Sequence, residues 1–231
     1  MKIAVIQSYW FPYIGYWQLI HAVDVFVIYD NIQYTKKGWI NRNRFLLNGS
    51  DCLFTLPLKK GSDFLDVCER EIADTFEREG LLRKITNAYR KAPYANTVLP
   101  LLREWLYHDD TNLFRYILAT VRGVCGYLGI DTRIVISSTL AIDHSLRAAE
   151  KVKAICGALH SDTYINAIGG QGLYSKDDFA RRNIDLKFIM TREIRYPQFG
   201  AEFVPWLSII DIMMFNSREE IRRMLNEYDL V

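Results

Sequence analysis

The sequence lacks most of the marks of a specialised chain. Its four cysteines, Cys52, Cys68, Cys125 and Cys156, form no Cys-x-x-Cys pair, and the four histidines, His21, His108, His144 and His160, stand apart from them. Neither a disulfide framework nor a structural zinc site is expected, and free thiols in a reducing compartment are. Charge of one sign is also scarce: 29 Lys and Arg face 27 Asp and Glu, for a net charge of +2, with no Lys/Arg-rich tail. This argues against DNA as a partner. Long hydrophobic runs are missing. Ile3 to Val23 is uncharged and follows Lys2, but Gln7, Ser8, Pro12, Gly15, Gln18 and His21 interrupt it, and it has neither a leucine-rich stretch nor a small-residue cleavage site. A cytoplasmic protein that enters no membrane is expected. His-Glu-x-x-His, Ser-His-Asp spacing and the two glycine-rich nucleotide fingerprints are likewise absent, so no metal is expected and no nucleotide motif announces itself.

What is present is an ordinary globular balance, 50% apolar and 24% charged, in 231 residues. That length fits a single α/β domain over residues 1–231 with a sizeable core. Lys2 to Gln7 and Val25 to Tyr29 are short apolar runs, the pattern of strands covered on both faces, and Tyr13 to Ala22 between them reads as a helix. Strand, helix and strand in about 30 residues make a βαβ unit with parallel strands. Asn31 to Ser50 is polar and basic, and Cys52 to Pro57 looks like a further strand. From about Thr75 to Gly129 the pattern is helical, strongest from Asp110 to Leu128, with Gly129 as the stop. Alternation then resumes: strands at Thr132–Ile136, Thr163–Ile168 and Asp185–Ile189, helices at Ser145–Leu159 and Lys176–Arg182. Ser175 caps the latter. Pro205–Phe215 and Glu219–Tyr228 read as closing helices, the second opened by Ser217 and Glu220. The fold expected is Rossmann-like: a mainly parallel sheet flanked by helices, with a helical insertion at about residues 75–129.

Open parallel sheets bind ligands beyond the carboxyl ends of their strands, so the loops there carry the functional information. The first, from Gln7, holds Tyr9, Trp10, Phe11, Tyr13, Tyr16 and Trp17 within nine residues. Rings at that density suit stacking on a base or sugar as well as a hydrophobic lid, and Gln7, Tyr9 and Gly15 become candidate contacts. In the second, Arg42 and Arg44 offer fork-shaped donors to a phosphate or carboxylate, Asn41 and Asn43 can hold hydroxyls, and Trp39 offers a stacking face. Ser137 and Ser138 can cap a helix or accept a phosphate. Gly169 and Gly170, in Gly169-Gly-Gln-Gly-Leu-Tyr174, let backbone N–H groups approach an anion, with Tyr174 closing the turn. Gln198 lies in a polar-aromatic turn. Asp211, inside an apolar helix, needs an arginine or backbone donors as partner.

These segments together resemble the WbqC-like proteins of bacterial surface-polysaccharide gene clusters. The resemblance rests on Tyr9-Trp-Phe-Pro-Tyr-Ile-Gly-Tyr-Trp-Gln-Leu-Ile20, Asp24-Val-Phe-Val-Ile-Tyr-Asp30, Gly38-Trp-Ile-Asn-Arg-Asn-Arg44, Ala92-Pro-Tyr94, Tyr164-Ile-Asn-Ala-Ile-Gly-Gly-Gln171 and Leu207-Ser-Ile-Ile-Asp211, and it runs from Lys2 to the chain's end. Ser8 follows Gln7 where the family usually has proline. The resemblance implies O-antigen or capsule biosynthesis, with transfer of an acyl or aminoacyl group such as glycyl to the amine of a nucleotide-linked amino sugar. On that reading Arg42 and Arg44 clamp the diphosphate, Asp30 or His21 takes the amine's proton, and Asn41 and Asn43 hold hydroxyls or the oxyanion. The acyl donor is left open between an aminoacyl-tRNA, an acyl-CoA and an ATP-activated acid. Other polysaccharide-biosynthesis enzymes and an oligomer are conceivable partners. Two other readings remain. One is a non-catalytic nucleotide-sugar-binding assembly protein. The other is a nucleotidylyltransferase-like enzyme, suggested by the frame of Ala22-Val-Asp-Val-Phe-Val27 and Ile136-Ser-Ser-Thr139.

Overall fold

The computed structural model describes residues 1–200 and 202–231. Its strands are β1 (Lys2–Gln7), β2 (Val25–Tyr29), β3 (Arg42–Leu47), β4 (Ser50–Thr55), β5 (Arg133–Ile136), β6 (Thr163–Ala167), β7 (Asp185–Thr191) and β8 (Tyr228–Leu230). Its helices are α1 (Ile14–His21), α2 (Arg78–Tyr89), α3 (Ala95–Leu106), α4 (Leu113–Leu128), α5 (Ala148–Ala158), α6 (Lys176–Ala180), α7 (Ile209–Phe215) and α8 (Arg218–Met224). The main sheet runs β5-β2-β1-β6-β7-β8, parallel except for β8. From β1 the chain winds outward through β2 to β5, then crosses back to β6 on the other side. The reversal leaves the carboxyl ends of β1 and β6 diverging side by side, the place where such sheets bind ligands.

Every residue of β2 is buried, and the pleat distributes them between two cores. Phe26 and Ile28 face one core with Ala4, α1 and the inserted helices, while Val25, Val27 and Tyr29 face the other with Ile3, Val5, Val152, Ile155 and Phe179. Helices therefore cover both faces, as the unbroken apolar runs require. The fold is Rossmann-like.

The insertion is larger than its helices. Helices α2, α3 and α4 fall within the expected stretch, and Gly129 ends α4 in the left-handed conformation at φ 69°. The whole excursion from β2 to β5 also contains a hairpin in which β3 and β4 pair with each other, Arg42 opposite Thr55, and with no strand of the main sheet. The sequence hid β3 inside an apparent polar loop because one of its inward positions is polar: Asn43 is buried alongside Phe45.

The last helix stops early. Gln18, buried in α1, donates to the carbonyls of Met224 (2.8 Å) and Glu227 (3.1 Å) at the end of α8. The chain then turns back, and Thr191, Met190 and Ile189 of β7 take up Tyr228, Asp229 and Leu230 as an antiparallel edge strand. Ladder bonds at an open edge outweigh another helical turn here. Likewise α7 begins at Ile209 instead of Pro205, because Ser208 is its cap. The Ser208 hydroxyl accepts from Ile210 N at 3.2 Å and donates to Phe11 O at 2.7 Å. No helix among the described residues is long and apolar enough to cross a membrane.

Candidate functional site

A cavity of about 770 Å³ opens where β1 and β6 diverge. Its floor is the carboxyl end of β1 (Val5 to Gln7) with Asn166 and Ala167 of β6. Gly15 and Tyr16 of α1, the hairpin (Trp39, Asn43, Arg44), the start of α5 (Arg147, Ala148, Lys151), the glycine turn (Gly169, Gly170) and Trp206 wall it. The charged residues of the lining are Arg44, Arg147 and Lys151, and no carboxylate, histidine or cysteine lines it among the described residues. Rings are abundant: Tyr9, Tyr13, Tyr16, Tyr29, Trp39, Tyr174 and Trp206. Such a lining offers fixed positive charge beside flat apolar faces.

The aromatic first loop divides its labour. Trp10 is fully buried against Phe54 (5.1 Å) and Phe76 (6.1 Å) of the insertion, and Phe11 meets Trp105 at 6.1 Å. Trp10 and Phe11 thus anchor the insertion, while Trp17 is buried with its indole N–H donating to Pro12 O at 3.1 Å, and Tyr9, Tyr13 and Tyr16 line the cavity. Gln7 accepts from the Tyr9 hydroxyl at 2.9 Å, and its backbone carbonyl accepts from Tyr16 at 3.2 Å. A Cβ on Gly15 would sit 2.4 Å from Tyr13 Oη, so only glycine permits this close approach of ring to helix. Tyr13 meets Trp206 edge-on at 5.6 Å. Trp206 is exposed, with φ 61°, a backbone region that bulky side chains rarely enter.

The hairpin brings both arginines to Trp39. Alternate residues of a strand share a face, and the guanidinium carbons of Arg42 and Arg44 lie 5.4 and 5.3 Å from the indole ring centre. They then part. Arg42 Nε donates to Gly38 O at 2.8 Å and the same guanidinium contacts Lys37 O, so it closes its own loop outside the cavity. Arg44 lines the cavity, with Nη1 3.1 Å from Asp51 Oδ2 and a buried Nε that has no partner among the described residues. Asn43 also lines it, donating weakly to Trp10 O at 3.4 Å. Asn41 is used up inside the hairpin, accepting from Tyr34 Oη (2.9 Å) and donating to Leu56 O (2.7 Å).

Asp30 is buried and lies outside the cavity lining. Its Oδ1 accepts from Ser137 Oγ (2.8 Å) and Ser138 N (3.0 Å), and its Oδ2 from Ser138 Oγ (2.6 Å). The two serines thus grip Asp30, and neither lines the cavity. His21 is exposed at the far end of α1. A helix that leaves the carboxyl end of β1 must run back toward the strands' amino ends, and His21 goes with it. Gly169 and Gly170 line the cavity, Gly170 so near Asn166 that a Cβ would lie 2.4 Å from its Nδ2. Tyr174 lines it too, packed edge-on to Tyr164 at 5.7 Å, and burial raises its phenol's pKa. Gln198 belongs elsewhere: its amide donates to Asp211 Oδ2 at 2.8 Å. Tyr89 (2.6 Å) and Tyr196 (2.7 Å) complete that cluster, so Asp211 is held by hydroxyls and an amide instead of an arginine. Burial raises the Asp211 carboxyl's pKa, and the three hydrogen bonds oppose the rise.

Several lining residues escaped the sequence reading. Arg147 and Lys151 sit at the start of a helix and read as solvated charges, Asn166 lies inside a strand, and Trp206 is remote from any motif. The strand-end rule alone could have found Asn31, which lines the cavity directly after β2. Among the described residues no cluster of three or more His, Cys, Asp or Glu side chains is placed to hold a metal ion.

Fold and cavity together define a doubly wound α/β protein with a cationic, aromatic-walled cavity at the reversal point of its sheet. The model of the WbqC-like protein family matches residues 7–223, and the chain belongs to that family. It is also similar to an uncharacterised protein of Mycobacterium tuberculosis, 28% identical over 215 residues that cover 92% of each chain. No solved structure matches it.

Proposed function

We propose that the cavity binds a nucleotide-linked amino sugar and that the protein transfers an acyl or aminoacyl group to the sugar's amine in bacterial surface-polysaccharide biosynthesis. Family membership supports the polysaccharide role. The observation that carries the ligand class is the lining itself, to which Arg44, Arg147 and Lys151 all contribute and no carboxylate does among the described residues; Arg44 alone has an acidic partner, Asp51, outside the lining. A diphosphate supplies the missing negative charge, and charge-assisted bonds of this kind contribute about 1.5–3 kcal/mol each. Trp39 and the tyrosines offer faces to base or sugar, and Asn43 and Asn166 offer amides to hydroxyls.

Calorimetric titration with UDP, dTDP and a dTDP-4-amino sugar tests the binding. Incubating the last with aminoacyl-tRNA, acyl-CoA, or a free acid plus ATP, and weighing the product by mass spectrometry, tests the transfer. Binding of the diphosphates and a mass gain on the sugar are expected, and failure of all three to bind overturns the reading. One observation favours a second reading, a non-catalytic nucleotide-sugar-binding assembly protein: the lining offers no carboxylate, imidazole or thiol among the described residues. Binding without mass gain under any donor selects it.

A further inference from the structure

Two lysines of α5 are buried, and the fold treats them differently. Lys153 is held by Asp178 at 2.6 Å and Glu150 at 2.5 Å, and these carboxylates raise its pKa. Lys151, one half-turn earlier and 5% exposed, forms no salt bridge among the described residues. Its Nζ donates to Asn31 O at 3.2 Å and to Asn31 Oδ1 at 3.4 Å, and lies 5.3 Å from the Tyr29 ring centre. Two long bonds to one amide residue are poor compensation for a buried cation.

We propose that Lys151 is the proton acceptor of the cavity, a buried amine that takes a proton from an ammonium group of the bound ligand. This rests on the amino-sugar reading above. The cavity must supply a base from its own lining, and the carboxylates, imidazoles and thiols that usually serve are missing from it among the described residues. Burial raises the phenols of Tyr9, Tyr16, Tyr29 and Tyr174, which keeps them protonated. For Lys151, burial and the neighbouring Arg147 lower the amine's pKa, against an opposing pull from Asp66 and Asp30. A lowered lysine pKa makes the neutral amine accessible nearer physiological pH.

The chemistry balances. The sugar's ammonium gives one proton to Lys151 Nζ, and the freed lone pair forms a C–N bond at the carbonyl of an activated acyl donor (thioester, acyl phosphate anhydride or ribose ester). The bond to the leaving group breaks, and that group departs with the electron pair and a second nitrogen proton. The amide keeps the third, and Nζ returns its proton to water.

Pyridoxal 5′-phosphate is a suitable probe, since its aldehyde condenses only with a neutral amine and its phosphate suits a cationic cavity. The full-length protein is treated with it across a pH series, trapped with borohydride and mapped by peptide mass spectrometry. Labelling of Lys151 is expected to reach half-maximum at lower pH than labelling of the exposed Lys84 and Lys176, and UDP should block it. A Lys151 midpoint equal to theirs overturns the proposal, while UDP binding in the same experiment leaves the amino-sugar reading standing. A low midpoint without UDP protection sustains the reactive amine and counts against the nucleotide-sugar ligand. In the transfer assay, Lys151→Arg should lower kcat at least 100-fold with KM for the sugar nucleotide nearly unchanged. An unchanged kcat also overturns the role.

Discussion

The hydroxyl of Ser138 donates to Asp30 Oδ2 across 2.6 Å, joining the loop after β2 to the loop after β5. With Ser137 and the Ser138 amide also bonded to Oδ1, the carboxylate is satisfied by its own protein. Asp30 fastens two neighbouring strand ends, and Asn31, which follows it, is thereby set against Lys151.

Replacing Asp30 with Asn should therefore weaken the fold more than the site. One acceptor becomes a donor facing a hydroxyl, which costs about 1–2 kcal/mol. Urea unfolding should show that loss, with UDP affinity within threefold of wild type. A 100-fold fall in turnover with unchanged stability would contradict a fastening role.

The two arginines flanking Trp39 should behave unequally. Arg44→Ala removes a cavity cation and is expected to weaken UDP binding about 10- to 100-fold, in line with the worth of a charge-assisted bond. Arg42→Ala removes bonds to Gly38 and Lys37 and should leave affinity within threefold. Calorimetry on both variants checks the contrast.

Asp211 gives a pH signature. Its carboxyl is raised above the ordinary 3.8, so the folded chain holds this proton more tightly than the unfolded chain does. The contribution favours folding below the unfolded pKa and disappears as pH rises through the folded one. Asp211→Asn does not ionise, so its stability relative to wild type should improve from pH 4 to 7. Asp211→Ala instead strands Tyr89, Tyr196 and Gln198, and should cost about 3 kcal/mol or more at neutral pH. Thermal melts across pH separate the two.

Two glycines set the shape of the cavity. Gly15→Ala would drive a methyl into Tyr13, and Gly170→Ala would drive one into Asn166, both lining residues. Each should reduce UDP affinity about tenfold, the equivalent of 1.4 kcal/mol. Displacement of these side chains would show in ring and amide NMR shifts.

The five parallel strands were legible because burial on both faces writes itself as unbroken apolar runs, and Val25 to Tyr29 could be little else, whereas the edge strand β8 was not read. The cavity was legible only where its lining sits near strand ends: Gln7, Tyr9, Gly15, Trp39, Asn43, Arg44, Gly169, Gly170 and Tyr174 do meet in it. Asn41 and Arg42 could not be told from Asn43 and Arg44, since alternation puts both asparagines on one face and both arginines on the other, and only the position along the hairpin decides which of each pair reaches the cavity. His21 misled because strand-end logic says nothing about the distal end of a helix. Lys151 was silent, since in Ala148-Ala-Glu-Lys151 a lysine looks like a surface charge. Asp211 advertised a partner without naming it, because Tyr89 lies 122 residues away in the chain.

The cavity draws its surfaces from Val5 at one extreme and Trp206 at the other, with Ser208 bonded to both Phe11 and Arg44 nearby. No contiguous fragment carries it. On the proposed reading, a ligand has nowhere to bind during synthesis until almost the entire polypeptide has emerged, so its occupancy would double as a certificate of finished folding. A saturating ligand should accordingly protect distant amides, those of the insertion and of the terminal edge strand alike, from hydrogen exchange by whole-molecule opening.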